Sequence, residues 1–443
     1  MVLKTAVAKV IFYGYACVHN YENVEFVTNS PTRHETVIDT QSLNLPVRSS
    51  YHTILKNGDG YDFIFRNREY SLKGSTCLYN SESNRIINVL EDMYHLNHNF
   101  CVIESHDGDY YGIGGMHSRY FLDFCNRHNL KIEKEPLIRY RNAEIVSPKV
   151  HSKYHHNGLY LMRSADMLHW EYVQPLPVIS GIHPGHTDNF LGYSKFDSKI
   201  SCFYSNMLQQ YILFIRANMG EGRRWVQTTR SKDLVQWEPF ELLKMEGVDF
   251  DNDNYYHFDA MEYPGTDLFV GLSAYTNRPR YPTKICIKLM FSKDGVHWVD
   301  AGSIVDTPTS TDGYRNSVQT TSVFFDKGDY YDMFFNENYD GIASSTKSST
   351  VVNYKIPKDR LVGISSQGLG RFEFEIGVQS DRLILNYACQ DNGYIKLTIN
   401  DCETFILHGD TLNKELAIDK KYMNRNVQIK VEMEESVLYS VQT

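Results

Sequence analysis

Apolar and polar residues alternate in short runs along most of this chain, with the period of two that marks strands half-buried in a sheet. Helical spacing is nearly absent. One stretch, residues 118–128, predicts a single short helical insertion. Turns rich in Gly, Asp and Asn punctuate the strand runs. Residues 51–56 and 61–66 flank Asn57-Gly-Asp-Gly60, and residues 320–325 and 330–336 flank Asp326-Lys-Gly-Asp329. Both pairs read as hairpins.

A longer period lies over this alternation. Arg163-Ser-Ala-Asp-Met-Leu-His-Trp170, Arg230-Ser-Lys-Asp-Leu-Val-Gln-Trp237 and Phe291-Ser-Lys-Asp-Gly-Val-His-Trp298 share the pattern Ser-x-Asp-x-x-x-Trp. Their tryptophans are 67 and then 61 residues apart, and they are three of the four in the chain. A repeat of about sixty residues with strand-like sequence predicts four-stranded propeller blades. Aligning the hairpins with the repeat places five inner strands at residues 50–56, 97–104, 197–204, 256–263 and 316–324. The Ser-x-Asp turns then close blades two, three and four, with degenerate equivalents near Tyr79 and Val351. In such a turn the Asp accepts backbone N–H bonds and the Trp packs between neighbouring sheets, so the repeat speaks for the fold rather than for chemistry.

From Arg371 onward the strands lengthen: residues 371–378, 382–388, 393–400, 426–432 and 436–441 all alternate. They predict a compact C-terminal sandwich over 363–443. Residues 1–40 read as strands that complete a sheet of either domain, and 41–362 as the propeller. The fold class expected is therefore all-β: a five-bladed β-propeller followed by a small C-terminal β-sandwich.

Composition narrows the partners. A net charge of −9 with no basic run argues against nucleic acid, whose phosphates it would repel. No stretch approaches the roughly 18 apolar residues that cross a bilayer, so no membrane insertion is expected. A neutral polymer suits this charge, and the 32 tyrosines suit both strands and sugar-binding surfaces. Eight cysteines occur without a Cys-x-x-Cys pair or zinc-type spacing, which predicts buried free thiols. Asp249-Phe-Asp-Asn-Asp253 opens like a calcium loop, but Asn254 stands where the glycine belongs and Ala260 where the twelfth-position glutamate belongs. No cofactor and no metal is expected, a structural calcium ion being the weaker alternative. Lys9 interrupts the apolar N-terminal run and no cleavage site follows. That pattern predicts no signal peptide and a cytoplasmic or virion-associated protein, with self-association or assembly into a virus particle as protein partnerships.

Several segments together resemble the five-bladed propeller glycoside hydrolases, the clan of invertases, levansucrases and arabinanases. The nearest resemblance is to a branch with a small C-terminal sandwich. Phe196-Asp-Ser-Lys-Ile-Ser-Cys-Phe-Tyr204, followed by Gln210-Tyr-Ile-Leu-Phe-Ile-Arg216, is similar to that branch's Phe-Asp-Ser-Gln-Asn strand and the Tyr-x-Leu-Tyr-Phe-Arg strand after it. His98-Asn-Phe100 is similar to its His-Asn-Phe strand, and Gly393-Tyr-Ile-Lys-Leu-Thr-Ile399, residues 427–431 and Leu438-Tyr-Ser-Val-Gln442 to its closing strands. The resemblance spans most of 45–442 and implies an oligo- or polysaccharide partner. The turn at 292–298 also resembles the sialidase Asp-box, but it is one residue shorter between Asp and Trp.

Glycoside hydrolysis needs two carboxyl groups, one to protonate the leaving oxygen and one to act as base or nucleophile. The relatives that the resemblance implies draw their acids from inner strands. Asp197 opens the third inner strand and matches the branch's Phe-Asp-Ser. In the fourth, Asp259 and Glu262 are three residues apart and so face opposite ways, and Asp259 is the tunnel-facing choice. Glu337 on the second strand of blade five is the third catalytic candidate. His52, Arg66, His98, Asn99, Arg216, His257, Arg315 and Asn316 are candidates for binding substrate. Blade one departs from the pattern: residues 50–56 contain no acid, where invertases and arabinanases carry one. Two readings follow, a glycosidase-like enzyme and a non-catalytic glycan-binding or virus-particle module on the same fold.

Overall fold

Five separate antiparallel sheets, each of four principal strands, follow one another along the chain. They are described by a computed structural model for residues 8–43, 48–68, 74–90, 99–105, 108–115, 138–140, 143–145, 158–174, 176–181, 183–187, 196, 198–220, 223–277, 285–307, 317–339 and 349–443. The predicted helical insertion at 118–128 lies outside these residues. Blade one runs Arg48–Asn57, Gly60–Arg68, Gly74–Asn80 and Arg85–Leu90. Blade two runs Cys101–Glu104, Tyr110–Gly115, Gly158–Ser164 and Glu171–Tyr172; blade three runs Ser201–Ser205, Gln210–Gly220, Arg223–Ser231 and Glu241–Leu242. Blade four runs Asp253–Glu262, Phe269–Asn277, Ile285–Ser292 and His297–Thr307, with Lys244–Glu246 added in parallel at its outer edge. This is a five-bladed propeller. The inner strands fall where the alternation puts them, although those of blades two, three and five are shorter than predicted, the first two starting at Cys101 and Ser201 and the last ending at Thr320.

Blade five is built from both ends of the chain. Ser317–Thr320, Tyr330–Tyr339 and Thr350–Pro357 are joined by Thr32–Asp39, which pairs with the third strand from Thr350↔Asp39 to Lys355↔Thr32. The propeller therefore includes residues upstream of 41, and its ring is closed by a hydrogen-bonded ladder between early and late segments.

The repeat turns are built alike. Asp166, Asp233 and Asp294 each accept two backbone amides through Oδ1: from Leu168 and His169 (both 2.8 Å), from Val235 (2.9 Å) and Gln236 (2.7 Å), and from Val296 (2.8 Å) and His297 (2.7 Å). Burial alone would raise the Asp294 carboxyl, but the His297 and Val296 amides and the His297 ring outweigh it and hold it down at about 2. Each Trp donates its Nε1–H to the carbonyl three residues back, at Met167, Leu234 and Gly295 (2.9, 2.9 and 3.1 Å). Those three residues all adopt positive φ, between 61° and 76°, which glycine tolerates best. Each indole wedges between its own blade and the preceding one, Trp170 against blade one, Trp237 against blade two and Trp298 against blade three. In blade four the indole of Trp298 meets Phe258 edge-on at 4.8 Å, and Gly271 makes room for both.

The C-terminal region is one continuous nine-stranded sheet rather than two. Its two longest strands, Arg382–Ile399 and Arg425–Gln442, are interrupted by bulges at 386–387 and 389–394, which let the sheet fold over. Both halves bury their alternating residues in one core, among them Phe374, Leu385, Leu397, Ile429 and Leu438. Lys9–Ile11 joins this sheet beside the final strand. Side chains from Val10 to Tyr13 alternate between two cores: Val10 and Phe12 pack into the sandwich, Ile11 and Tyr13 into the propeller between blades four and five. The buried ammonium of Lys9 lies 2.5 Å from the carboxylate of Asp359, which also accepts the hydroxyls of Tyr331 (2.6 Å) and Tyr263 (3.1 Å). One ion pair thus fastens the sandwich to two blades.

Two stability predictions follow from this packing. Asp359→Asn leaves Lys9 buried without its counter-charge and should lower unfolding free energy by about 3–5 kcal/mol in urea titrations. Gly271→Ala would set a Cβ 2.6 Å from Phe258 Cζ and 2.8 Å from Trp298 Cζ3. Thermal unfolding should show a loss of about 1–3 kcal/mol from that overpacking.

Candidate functional site

The inner strands meet around a central channel. A cavity of about 420 Å³ within it is lined by all five blades, through residues 52–55, 101–104, 199–204, 259–261 and 321–325. Much of its wall is apolar, with Ile54, Leu55, Val102, Ile103, Ala260 and Met261 among the lining residues. At one level sits an ion pair. Lys199, just before the inner strand of blade three, donates its ammonium to Asp259 Oδ1 of blade four and, at 2.7 Å, to the Thr321 carbonyl of blade five. Both charged side chains are less than a tenth exposed. Taking two charges out of water is costly, and only close pairing with further hydrogen bonds offsets it. Here the pair and the carbonyl together tie three blades at the axis.

Asp259 Oδ2, His52 Nε2 and Ser322 Oγ, on residues that line this cavity, have no hydrogen-bond partner among the described residues. His52 comes from blade one and packs on Phe65 with ring centroids 5.3 Å apart. Burial, and then the nearby Lys199 charge, push its pKa down to about 3, so the ring is neutral at physiological pH. Burial also raises the thiols of Cys101 and Cys202, which face the same cavity and stay protonated.

Around the start of the blade-four inner strand aromatic and basic side chains cluster. Tyr51 sits on a bulge of blade one with φ 55°, and its ring meets the edge of His257 from blade four at 5.5 Å. The Tyr256 ring lies 4.5 Å from that of His257, and the guanidinium groups of Arg216 and Arg224 lie 5.3 and 5.0 Å from the Tyr256 centroid. Arg66 pairs across from Ser50 at the corresponding level of blade one and is buried. These groups present flat apolar faces and fixed N–H donors.

The sequence candidates divide accordingly. Asp259 and His52 line the channel cavity, His257 and Arg216 belong to the aromatic and basic cluster, and Arg66 is buried on the second strand of blade one. Asn99 does not serve in the channel. It is fully buried, donates to the Phe196 carbonyl and accepts the Gly115 amide at 2.6 Å, so both ends of its amide join blade two to the approach of blade three. Glu337 is likewise turned away: Arg33 holds it with two bonds of 3.0 and 3.1 Å and Tyr354 donates to it at 2.7 Å, all within the outer part of blade five. Glu262 caps the turn after the blade-three inner strand, accepting Ser205 Oγ (2.6 Å) and the Met207 amide (2.7 Å), which leaves Asp259 as the residue of that pair that faces the channel. Asp197, His98, Arg315 and Asn316 fall outside the described residues. The carboxylates of the acidic loop at 249–253 are engaged by protein donors: Asp253 Oδ2 accepts the Asp249 amide (2.8 Å), Asp249 Oδ2 the Asn252 side chain (2.6 Å) and Asp251 Oδ1 the Arg223 guanidinium (2.9 Å). No cluster of three metal-type ligands occurs among the described residues.

Lys199 is the residue that sequence reasoning missed. The available signal was a lysine beside an apolar inner strand, where a charge is almost never buried without a partner. It also stands where the resembled branch carries glutamine.

No protein-family model matches the chain, and no curated protein matches it. Among solved structures it is similar to an N-acetylgalactosamine deacetylase from F. plautii in complex with blood group B trisaccharide, at 11% identity, over 75% of this chain and 96% of that one, with a TM-score of 0.44. It is similar to an exo-β-1,3-galactanase from Phanerochaete chrysosporium (9% identity, 94% and 100% covered, TM-score 0.41) and to an endo-arabinase from Bacteroides thetaiotaomicron (13%, 73% and 98%, TM-score 0.40). These are likenesses of overall shape, and no residue role is carried from them.

The axial pair predicts a strong non-additivity. Lys199→Met should destabilise the fold by about 3–5 kcal/mol by stranding a buried carboxylate. Pairing it with Asp259→Leu should recover most of that loss. A double-mutant cycle in guanidinium chloride measures the difference.

Proposed function

We propose that this protein binds a carbohydrate at the basic, aromatic mouth of the propeller channel, with Asp259 acting as a fixed acceptor for a sugar hydroxyl. The observation that carries the reading is the Lys199–Asp259 pair. One carboxylate oxygen is committed to the ammonium and the other is left without a partner. A carboxylate oxygen so placed accepts a hydrogen bond from a hydroxyl. Tyr51, Tyr256 and His257 supply faces against which sugar C–H groups pack, and Arg216 supplies donors. The three similar structures named above are described as acting on or holding saccharides, which agrees with this reading without deciding it. In a hydrolytic version the proton donor and base would have to be other carboxyl groups, with Asp197 the first choice, roughly 5–10 Å apart across the bound sugar.

The test is a panel of polysaccharides and aryl glycosides assayed for both binding and reducing-sugar release, with wild type beside Asp259→Asn and Asp197→Asn. We expect at least one glycan to bind, with affinity at least tenfold weaker in Asp259→Asn. Release that disappears in Asp197→Asn but survives in Asp259→Asn identifies the hydrolytic version with Asp259 still an acceptor. Release abolished by Asp259→Asn makes Asp259 a reacting group and overturns the acceptor role. Absence of any binding overturns the carbohydrate reading.

A further inference from the structure

A second cavity, of about 500 Å³, opens at the seam where the closing blade meets blade one. Its floor is Asp332, which is 4% exposed and whose two oxygens are already engaged, one by Tyr61 Oη at 2.7 Å and the other by Asn353 Nδ2 at 3.0 Å. Asn353 is itself 5% exposed, and its Oδ1 has no hydrogen-bond partner among the described residues. A buried acceptor in that condition is destabilising until a donor reaches it. Two residues along the same strand, and so on the same face, is Lys355. Its ammonium lies 4.8 Å from the centroid of Tyr330, and no carboxylate pairs with it among the described residues. Lys327, by contrast, is occupied, donating to the Asp59 carbonyl at 2.8 Å and lying over Tyr61 at 4.7 Å.

The cavity therefore offers one unfilled acceptor and one unfilled donor side by side, between tyrosine walls. Its lining carries the carboxylates of Glu35, Asp59, Glu82 and Asp332 as well as the two lysines. An anion would be repelled by the four carboxylates, and a cation would meet the ammonium of Lys355 beside the open acceptor. A neutral molecule whose neighbouring groups both donate and accept satisfies the site, and vicinal hydroxyls do this: one donates to Asn353 Oδ1 while the next accepts from Lys355. The volume suits one or two sugar rings. We infer that the blade-five/blade-one seam is an accessory binding site for a neutral saccharide. The inference does not rest on the channel mouth.

Saturation-transfer NMR on the full chain, with glucose, galactose, mannose, lactose and cellobiose as probes, tests it. At least one probe should bind the wild type, and its affinity should fall at least tenfold in both Lys355→Met and Asn353→Leu. Lys355→Met removes a side chain with no ion pair, so it keeps the test open should Asn353→Leu fail to fold. If no probe binds, the inference is overturned. A signal that Lys355→Met leaves intact comes from elsewhere, the channel mouth included, and overturns it equally.

Discussion

A ring of sheets holds only if its last blade grips its first, and here that grip is the ladder between residues 32–39 and 350–357. No blade could bury both of its faces alone, since each hydrophobic cluster in the propeller is shared by two neighbouring sheets. An open ring would leave two such faces in water and two unpaired strand edges. Placing the closing strand at the start of the chain makes closure a long-range event, slow to find but protective of every interblade core once made. The same early segment continues upstream into the sandwich, where Val10 to Tyr13 divide their side chains between the two cores. Ring closure and domain docking are thus consequences of one run of about thirty residues.

Charge placement repeats this logic at two depths. Lys9–Asp359 fixes the sandwich against blades four and five, and Lys199–Asp259 fixes blades three, four and five at the axis. Each pair is buried and each has a further hydrogen bond that offsets desolvation. They differ in completeness. Asp359 is satisfied by two tyrosine hydroxyls, whereas Asp259 retains an unpartnered oxygen on the channel wall. The saturated pair serves the fold alone, and under the proposed function the unsaturated one is where a ligand hydroxyl gains most. The accessory seam obeys the same rule, since Asn353 keeps a buried oxygen open while its amide nitrogen is committed to Asp332.

Much of the fold was legible because the relevant interactions are local. The Ser-x-Asp-x-x-x-Trp turns close within seven residues, so their hydrogen bonds follow from spacing alone, and the strand alternation of 371–441 maps directly onto inward and outward faces. The site was less legible. Asp259 could be preferred over Glu262 by strand parity, because parity is a local property. Asn99 and Glu337 looked equally suited to the channel, yet their partners, Phe196, Gly115, Arg33 and Tyr354, sit in elements that only folding brings near. Lys199 went unnoticed for the same reason, its partners lying 60 and 122 residues downstream.

By itself the sequence determined an all-β chain, the number of blades and the turn chemistry that repeats between them. These depend on periodicity and on contacts within a hairpin. The tertiary structure alone decided which early strand closes the ring, how one folded-over sheet replaces two, which carboxylates are spent on structural partners and which oxygen is left without one. A side chain's availability is set by what lies across from it, and in a propeller the residue across the channel belongs to another blade far away in sequence.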